Sequence, residues 1–483
     1  MAGSSASPPL RSGTATPRKF LLVGFGAIAQ ALLPLLFKQF GCRPADIAIL
    51  TADSPGLGVA RRYGLRHDTI AVTPDNYAGL LAARLAAGDV LINLSVDVSS
   101  LALITWCQAH AVLYIDTCVE PWAGGYMQHR DGQLRPTTNY DLRHAALTRR
   151  RPDTPSAVIA HGANPGLVTH FAKAALCELA ALRGQPTPSA AWPELAQALD
   201  VRVIHIAERD TQVADDAPRR DEFHNTWSVD GLLSEALQPA ELGWGSHEDG
   251  LPPDAHNHAY GSRAAIYLSR PSAEVRVKSW VPLVGEQDSF LITHHEAISI
   301  AEWLTVPGPT PERPAYRPTV HYAYAPCPAA RASLETWVAS GFKPPARRTV
   351  LRETLFEGTD QLGVLLVFPG GAYWYGSTLS LAEARRLVPH NNATTLQVAA
   401  GVLGGIVWML EHPHAGIVEA EDMDHACVLD VATPYLGELG GTLTDWQPAA
   451  PGDLRFASFR RPEAAHPKPR ARVREEAEEN LAA

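Results

Sequence analysis

Residues Asn225 to Gly245, NTWSVDGLLSEALQPAELGWG, bring Trp227, Trp244, Asp230, Glu235 and Glu241 into one short, mostly apolar stretch. Aromatic faces and carboxylates attract the same partner, an organic cation. The stretch reads as a candidate amine site with no reaction attached. A second pattern supplies a reaction. Gly24-Phe25-Gly26-Ala27-Ile28-Ala29 follows the apolar run Phe20–Val23 and opens an apolar-periodic helix to about Phe40. The first glycine permits a tight turn, and the second lets backbone approach a pyrophosphate at the helix N-terminus. Gly24, Gly26, Ala27 and Ile28 are therefore candidate nucleotide contacts. An amine next to a nicotinamide is a redox problem.

Elements must position these groups. Strands are expected at Phe20–Val23, Ile47–Leu50, Ile70–Val72, Val90–Leu94 and Val112–Asp116, alternating with helices. That alternation predicts a parallel, doubly wound sheet. Pro34 is expected to bend the first helix. Ala157–Ala160 reads as a further strand entering Gly162-Ala163-Asn164-Pro165-Gly166, and residues 200–300 mix strands with loops. Residues 306–346 are proline-rich and read as long loops, and Asn392–His412 as a long apolar helix. The fold class is α/β: an N-terminal Rossmann-like parallel-sheet domain, then a second α+β domain with a mixed sheet. The divisions are a disordered leader at 1–18, the nucleotide domain at 19–156 and the second domain at 157–391. A C-terminal helix and strands at 392–462 pack back on the core, and 463–483 is a charged tail.

Composition narrows the chemistry. The 483 residues carry 41 basic and 51 acidic side chains, a net charge of −10. That argues against nucleic acid and mildly favours cationic substrates, although acidity also simply keeps an enzyme soluble. The six cysteines are scattered without C-x-x-C, so a reduced, cytoplasmic protein is expected, with no zinc site or disulfide framework. No apolar run approaches the roughly 20 residues of a membrane span. Thr51 stands where an acid usually meets the ribose. Asp53, two residues on, favours NAD over NADP, against the pull of Arg61 and Arg62. His294-His295-Glu296 has metal-like spacing, but adjacent histidines on a strand face opposite ways, so no metal is expected.

Each candidate has a plainer reading. Trp227 and Trp244 can be packing residues, and Glu208 can pair with Arg209 beside it. Cys118 reads as a small core residue. Asp97 and Glu120 follow strand ends, where such folds place ligands.

Several motifs occur in a fixed order: Gly24-Phe25-Gly26, Asn93-Leu94-Ser95-Val96-Asp97, Tyr114-Ile115-Asp116-Thr117-Cys118-Val119-Glu120-Pro121-Trp122 and Gly162-Ala163-Asn164-Pro165-Gly166. His205-Ile206-Ala207-Glu208-Arg209-Asp210-Thr211, the opening stretch, Thr293-His294-His295-Glu296, Ala372-Tyr373-Trp374-Tyr375 and Thr433-Pro434-Tyr435 follow. From about Phe20 to Pro448 the chain resembles the bacterial homospermidine synthases, relatives of saccharopine and carboxynorspermidine dehydrogenases. The resemblance implies a homodimer holding NAD as a prosthetic group. It implies the reaction of two putrescines to homospermidine and ammonia, with spermidine as a second candidate substrate. Trp227 would hold an ammonium over its ring. Asp97, Glu120, Asn164, Glu208, Glu235 and His294 would line an amine channel, with Glu296 near its mouth. Ser95, Asn164 and Pro165 would join the cofactor contacts. Either Glu208 or His294 would be the base. Asp230, His295 and Thr51 depart from the family pattern. The alternatives are a reductive amine dehydrogenase of the carboxynorspermidine or saccharopine type, and a catalytically dead NAD-binding sensor.

Overall fold

Phe20–Val23, Val90–Asn93 and Leu113–Asp116 are buried at every residue, and Ile47–Thr51 nearly so. Such runs suit parallel strands covered on both faces. In the computed structural model, which describes residues 19–130, 133–186, 191–215, 218–219, 221–448 and 453–462, they join one seven-stranded sheet. Its order is Ile417–Val418, Ala157–Val158, Leu113–Asp116, Val90–Asn93, Phe20–Val23, Ile47–Thr51, Arg66–Thr69. Every pairing is parallel. The expected leader and charged tail lie outside the described residues.

One detail of this sheet corrects the sequence reading. The edge strand is Arg66–Thr69 rather than the apolar Ile70–Val72, because an edge strand faces water and its ladder needs no apolar run. The first helix, Ala27–Phe40, contains Pro34 as expected and continues past it. Against the expectation that no apolar run approaches a membrane span, helix Ala393–Glu411 is long and apolar enough to cross one, yet 94% of its most apolar 18-residue window is buried among protein atoms, as a core helix requires.

The chain forms two compact units. The first comprises residues 19–125, Leu142–His170 and Glu383–Gly437; the second comprises Tyr126–Asp141, Phe171–Ala382 and 438–462. These cut across the expected boundaries at 156 and 391. Ala157–Val158 pairs with Leu113–Asp116, and Ile417–Val418 pairs beyond it, so the chain twice re-enters the first unit. Hydrophobic periodicity carries no record of such long-range pairing.

The second unit is built on a ten-stranded mixed sheet. Thr319–Ala325 runs parallel to Val203–Asp210, and all other pairs in the sheet are antiparallel. This overturns the loop reading of 306–346, which holds that strand and the helix Pro328–Ala339. Prolines at 318 and 326 punctuate the strand and do not interrupt it. One sheet face packs Val203, Ala207, Leu365 and Val367 against Leu454 and Phe459. The other face carries Glu208, two residues removed from Ile206 along its strand.

Candidate functional site

In the first unit the candidate residues follow the carboxyl ends of parallel strands, which one sheet edge collects. Gly24 has φ +85°, and a Cβ there would lie 2.8 Å from the Leu94 carbonyl oxygen. No other residue type suits that turn. Gly26 caps helix Ala27–Phe40 with no side-chain bond, and a Cβ there would meet nothing within 4 Å. An open glycine at a helix N-terminus is a cradle for an anionic group. Ala27 and Ile28, both partly exposed, complete the first turn. Thr51 donates its hydroxyl to Asp53 Oδ1 at 3.0 Å, so the residue replacing the usual acid orients the acid beside it.

Ser95 donates to Asn93 Oδ1 at 2.7 Å just past Val90–Asn93. Asp97 is exposed with φ +61°, and its amide donates to Glu120 Oε2 at 3.4 Å. The structure thus joins two acids that lie 23 residues apart. Glu120 is buried, with its amide donating to Ser100 Oγ at 3.0 Å. Asn164 and Pro165 sit in a turn closed by the Gly162 amide donating to the Pro165 carbonyl at 2.6 Å. Gly401 of the long helix packs on that turn, leaving no room for a side chain.

The second unit gathers Glu208, Trp227, Glu235, His294 and Glu296. Strand Gly285–Ile292 ends before His294, which begins helix His295–Trp303. The expectation of a strand through His294 is therefore wrong, and the alternating-face argument about the two histidines goes with it. His294 Nε2 lies 3.0 Å from Glu235 Oε2, and Nδ1 lies 3.2 Å from Glu296 Oε1. Burial opposes charge on this ring, but the Glu235 and Glu296 carboxylates outweigh it and hold the proton affinity well above the ordinary imidazole range. Glu296, expected near the channel mouth, is 1% exposed and bonded to His294. Among the described residues no group of three or more His, Cys, Asp or Glu is arranged to hold a metal.

Glu208 is buried and accepts from the Tyr322 hydroxyl at 2.5 Å. The Tyr322 ring lies 4.4 Å from His294 and 5.3 Å from Tyr324. Trp227 is half-buried and donates its indole N–H to Tyr324 Oη at 3.3 Å. Gly231 makes room for that indole, since a Cβ there would lie 2.9 Å from Trp227 Cζ3. Sequence reasoning missed Tyr322 and Tyr324 because it assigned their segment to loops. Their signal was present in the alternation Thr319-Val320-His321-Tyr322-Ala323-Tyr324, rich in β-branched and aromatic residues.

The rest of the opening stretch is scaffold. Glu241 is 1% exposed, accepts the Asn139 amide at 2.7 Å and lies 3.1 Å from His258 Nε2. Trp244 packs on the core with Phe456. Asp230 is exposed and paired with Arg348.

Residues 20–157 match the saccharopine dehydrogenase NADP binding domain, and residues 162–444 match the saccharopine dehydrogenase C-terminal domain. The homospermidine synthase of Blastochloris viridis is 46% identical over 442 residues, covering 89% of this chain and 92% of that protein. The Mesorhizobium japonicum homospermidine synthase is 45% identical over 442 residues, covering 89% and 90%. The crystal structure of Legionella pneumophila homospermidine synthase in complex with NAD superposes with a TM-score of 0.86 at 42% identity, covering 95% of this chain and all of that one. With both domain types matched in order and these likenesses running nearly end to end, the chain belongs to the homospermidine synthases of the saccharopine dehydrogenase family.

Proposed function

We propose that this chain catalyses NAD-dependent, redox-neutral aminobutyl transfer, in which two putrescines become homospermidine and ammonia. The observation that carries the reading is the cluster of Glu208, Glu235, Glu296 and His294 beside Trp227. Putrescine is a dication, and moving its charges out of water costs several kcal/mol per ion unless they are paired. Clustered carboxylates with an adjacent indole face supply that pairing.

Bound NAD supplies the hydride acceptor and returns the hydride within one turnover, so the cofactor ends as it began. The open turn at Gly24, Gly26, Ala27 and Ile28 fits its pyrophosphate. Asp53 fits the ribose hydroxyls and would repel a 2′-phosphate, which favours NAD over NADP. Ser95, Asn164 and Pro165 fit the nicotinamide side.

The reacting ammonium must first lose a proton, because the nitrogen lone pair forms the C=N bond as hydride leaves the neighbouring carbon. His294 already carries a proton between two acids, so Glu208 is the better acceptor. Trp227 then clamps the remaining ammonium, with Glu235 and Glu296 as counter-charges. A second putrescine adds to the imine, ammonia leaves, and the new imine takes the hydride back. We further infer a cytoplasmic homodimer. The six cysteines form no disulfide with one another, which suits a reducing compartment.

Mass spectrometry of the products from putrescine and purified protein, without added reductant, tests the reading. Homospermidine and ammonia in equal amounts, without net NADH, are expected. Accumulating NADH with no polyamine would mark a simple amine dehydrogenase instead.

A further inference from the structure

Strand Thr319–Ala325 lies between Gly285–Ile292 and Val203–Asp210, pairing Tyr322 with Ile292 on one side and Ile206 on the other. Tyr322 and Tyr324, two residues apart, share a sheet face. Between them they touch three of the proposed site groups. The Tyr322 hydroxyl donates to Glu208, its ring lies against His294, and Tyr324 accepts the Trp227 indole N–H. Both rings are buried, so their hydroxyls have been removed from water and spent on these partners.

We propose that Tyr322 is a positioning residue of the reaction: its hydroxyl holds the Glu208 carboxylate ionised and aimed, as the group that takes the proton from the reacting ammonium. The assignment rests on the aminobutyl-transfer reading. Physically, a carboxylate in a dry site is pushed toward its neutral form, which accepts no proton from an amine. A hydroxyl donating at 2.5 Å stabilises the charged form more strongly than a neutral pair would. The Glu208 backbone is held as well, since its carbonyl accepts from Gln287 Nε2 at 3.0 Å. The residue is therefore held at its backbone by Gln287 and at its carboxylate by Tyr322.

Other titratable groups surround this carboxylate. Tyr324 follows Tyr322 on the same strand, and burial together with Glu208 and Asp210 keeps its phenol protonated. Asp210 stands two residues along the Glu208 strand, with Asp360 opposite it. Asp210 is bonded to Gln212 and Thr226, and burial pushes it up to about 6. His294, with Glu235 and Glu296, lies on the far side of the Tyr322 ring. Removing the Tyr322 hydroxyl alters the direct partner of Glu208 and leaves all of these in place.

The test is the pH profile of kcat/KM for homospermidine formation by Tyr322→Phe and Tyr324→Phe. For Tyr322→Phe, kcat should fall about tenfold or more, with the acidic limb moved up by about one pH unit. KM for putrescine should stay within about threefold, since uniform binding is not what the hydroxyl provides. Tyr324→Phe should raise KM and leave the limb in place. In a Glu208→Gln background, Tyr322→Phe should add no further loss. 3-Fluorotyrosine placed at position 322 is a stronger donor of similar size and should move the limb down, which provides a readout if the phenylalanine variant does not fold. An unmoved limb in Tyr322→Phe, or additive losses with Glu208→Gln, overturns the assignment. A wild-type protein that makes no homospermidine instead overturns the functional reading on which it rests.

Discussion

At the scale of single residues, charge decides the arrangement. His294 between Glu235 and Glu296 is best described as a resident cation that offsets one of their two charges and leaves the other for a diamine ammonium. Its folded proton affinity exceeds the unfolded value, so the folded form retains the proton at pH values where the unfolded chain has released it. The stabilisation is complete below about pH 6.5 and is lost as pH rises through the raised folded value. Melting temperatures of His294→Gln without substrate should lack that downward slope; a parallel slope in the variant would show that His294 is not its source. Trp227 is the second residue-scale case. A desolvated cation–π contact of about 2 kcal/mol corresponds to roughly 30-fold in affinity. Trp227→Ala should raise KM for putrescine by about that factor, and Trp227→Phe by less. A KM within twofold for the alanine variant would remove the clamp.

At the scale of elements, two glycines in one turn have different tasks. Gly24 sits at φ +85° with no space for a Cβ, so Gly24→Ala should lower the melting temperature of the apoprotein as well as weaken NAD binding. Gly26 faces open space, so Gly26→Ala should leave the apoprotein's melting temperature unchanged. It should still raise the Kd for NAD about tenfold or more, because its methyl group enters the phosphate cradle. Calorimetric titration with NAD, alongside melting curves, separates the two; equal effects from both variants would contradict this division. In the second unit the strand Thr319–Ala325 does comparable work. It presents Tyr322 and Tyr324 to the site on one face and His321 to the core on the other.

At the scale of the molecule, different histidines make the second unit sensitive to acid and to base. His205 and His321 are fully buried, with ring centroids 4.2 Å apart, under Phe456 and Phe459. His205 Nε2 and both His321 ring nitrogens have no partner among the described residues. Burial lowers both proton affinities, and that of His321 falls to about 3. Here the unfolded chain binds the extra proton, so this stabilisation is present above about pH 6.5 and is lost as pH falls. His294 works in the opposite direction. The apoprotein should therefore be most stable near pH 6.5, and His321→Phe should move the acid unfolding midpoint to lower pH. An unchanged midpoint in circular dichroism titrations would clear the histidine pair of that role.

By itself, the sequence determined what is local and what repeats as a pattern. The strand–glycine–helix start, the alternation behind a parallel sheet and the ordered motifs naming the family all lie in short windows where residue type dictates backbone conformation. The amine character of Asn225 to Gly245 was legible for the same reason, since Trp227 and Glu235 declare their chemistry by type. Only the tertiary structure decided which acids meet. Asp230, Glu235 and Glu241 look equivalent in the chain, yet one pairs with Arg348 at the surface, one with His294 at the site, and one caps Asn139 in the core. It also decided that Glu296 is buried and that the segment from 306 to 346 contains the strand carrying Tyr322. Partners distant in sequence are chosen by sheet register and burial, and these arise from the whole chain packing at once, which no local window records.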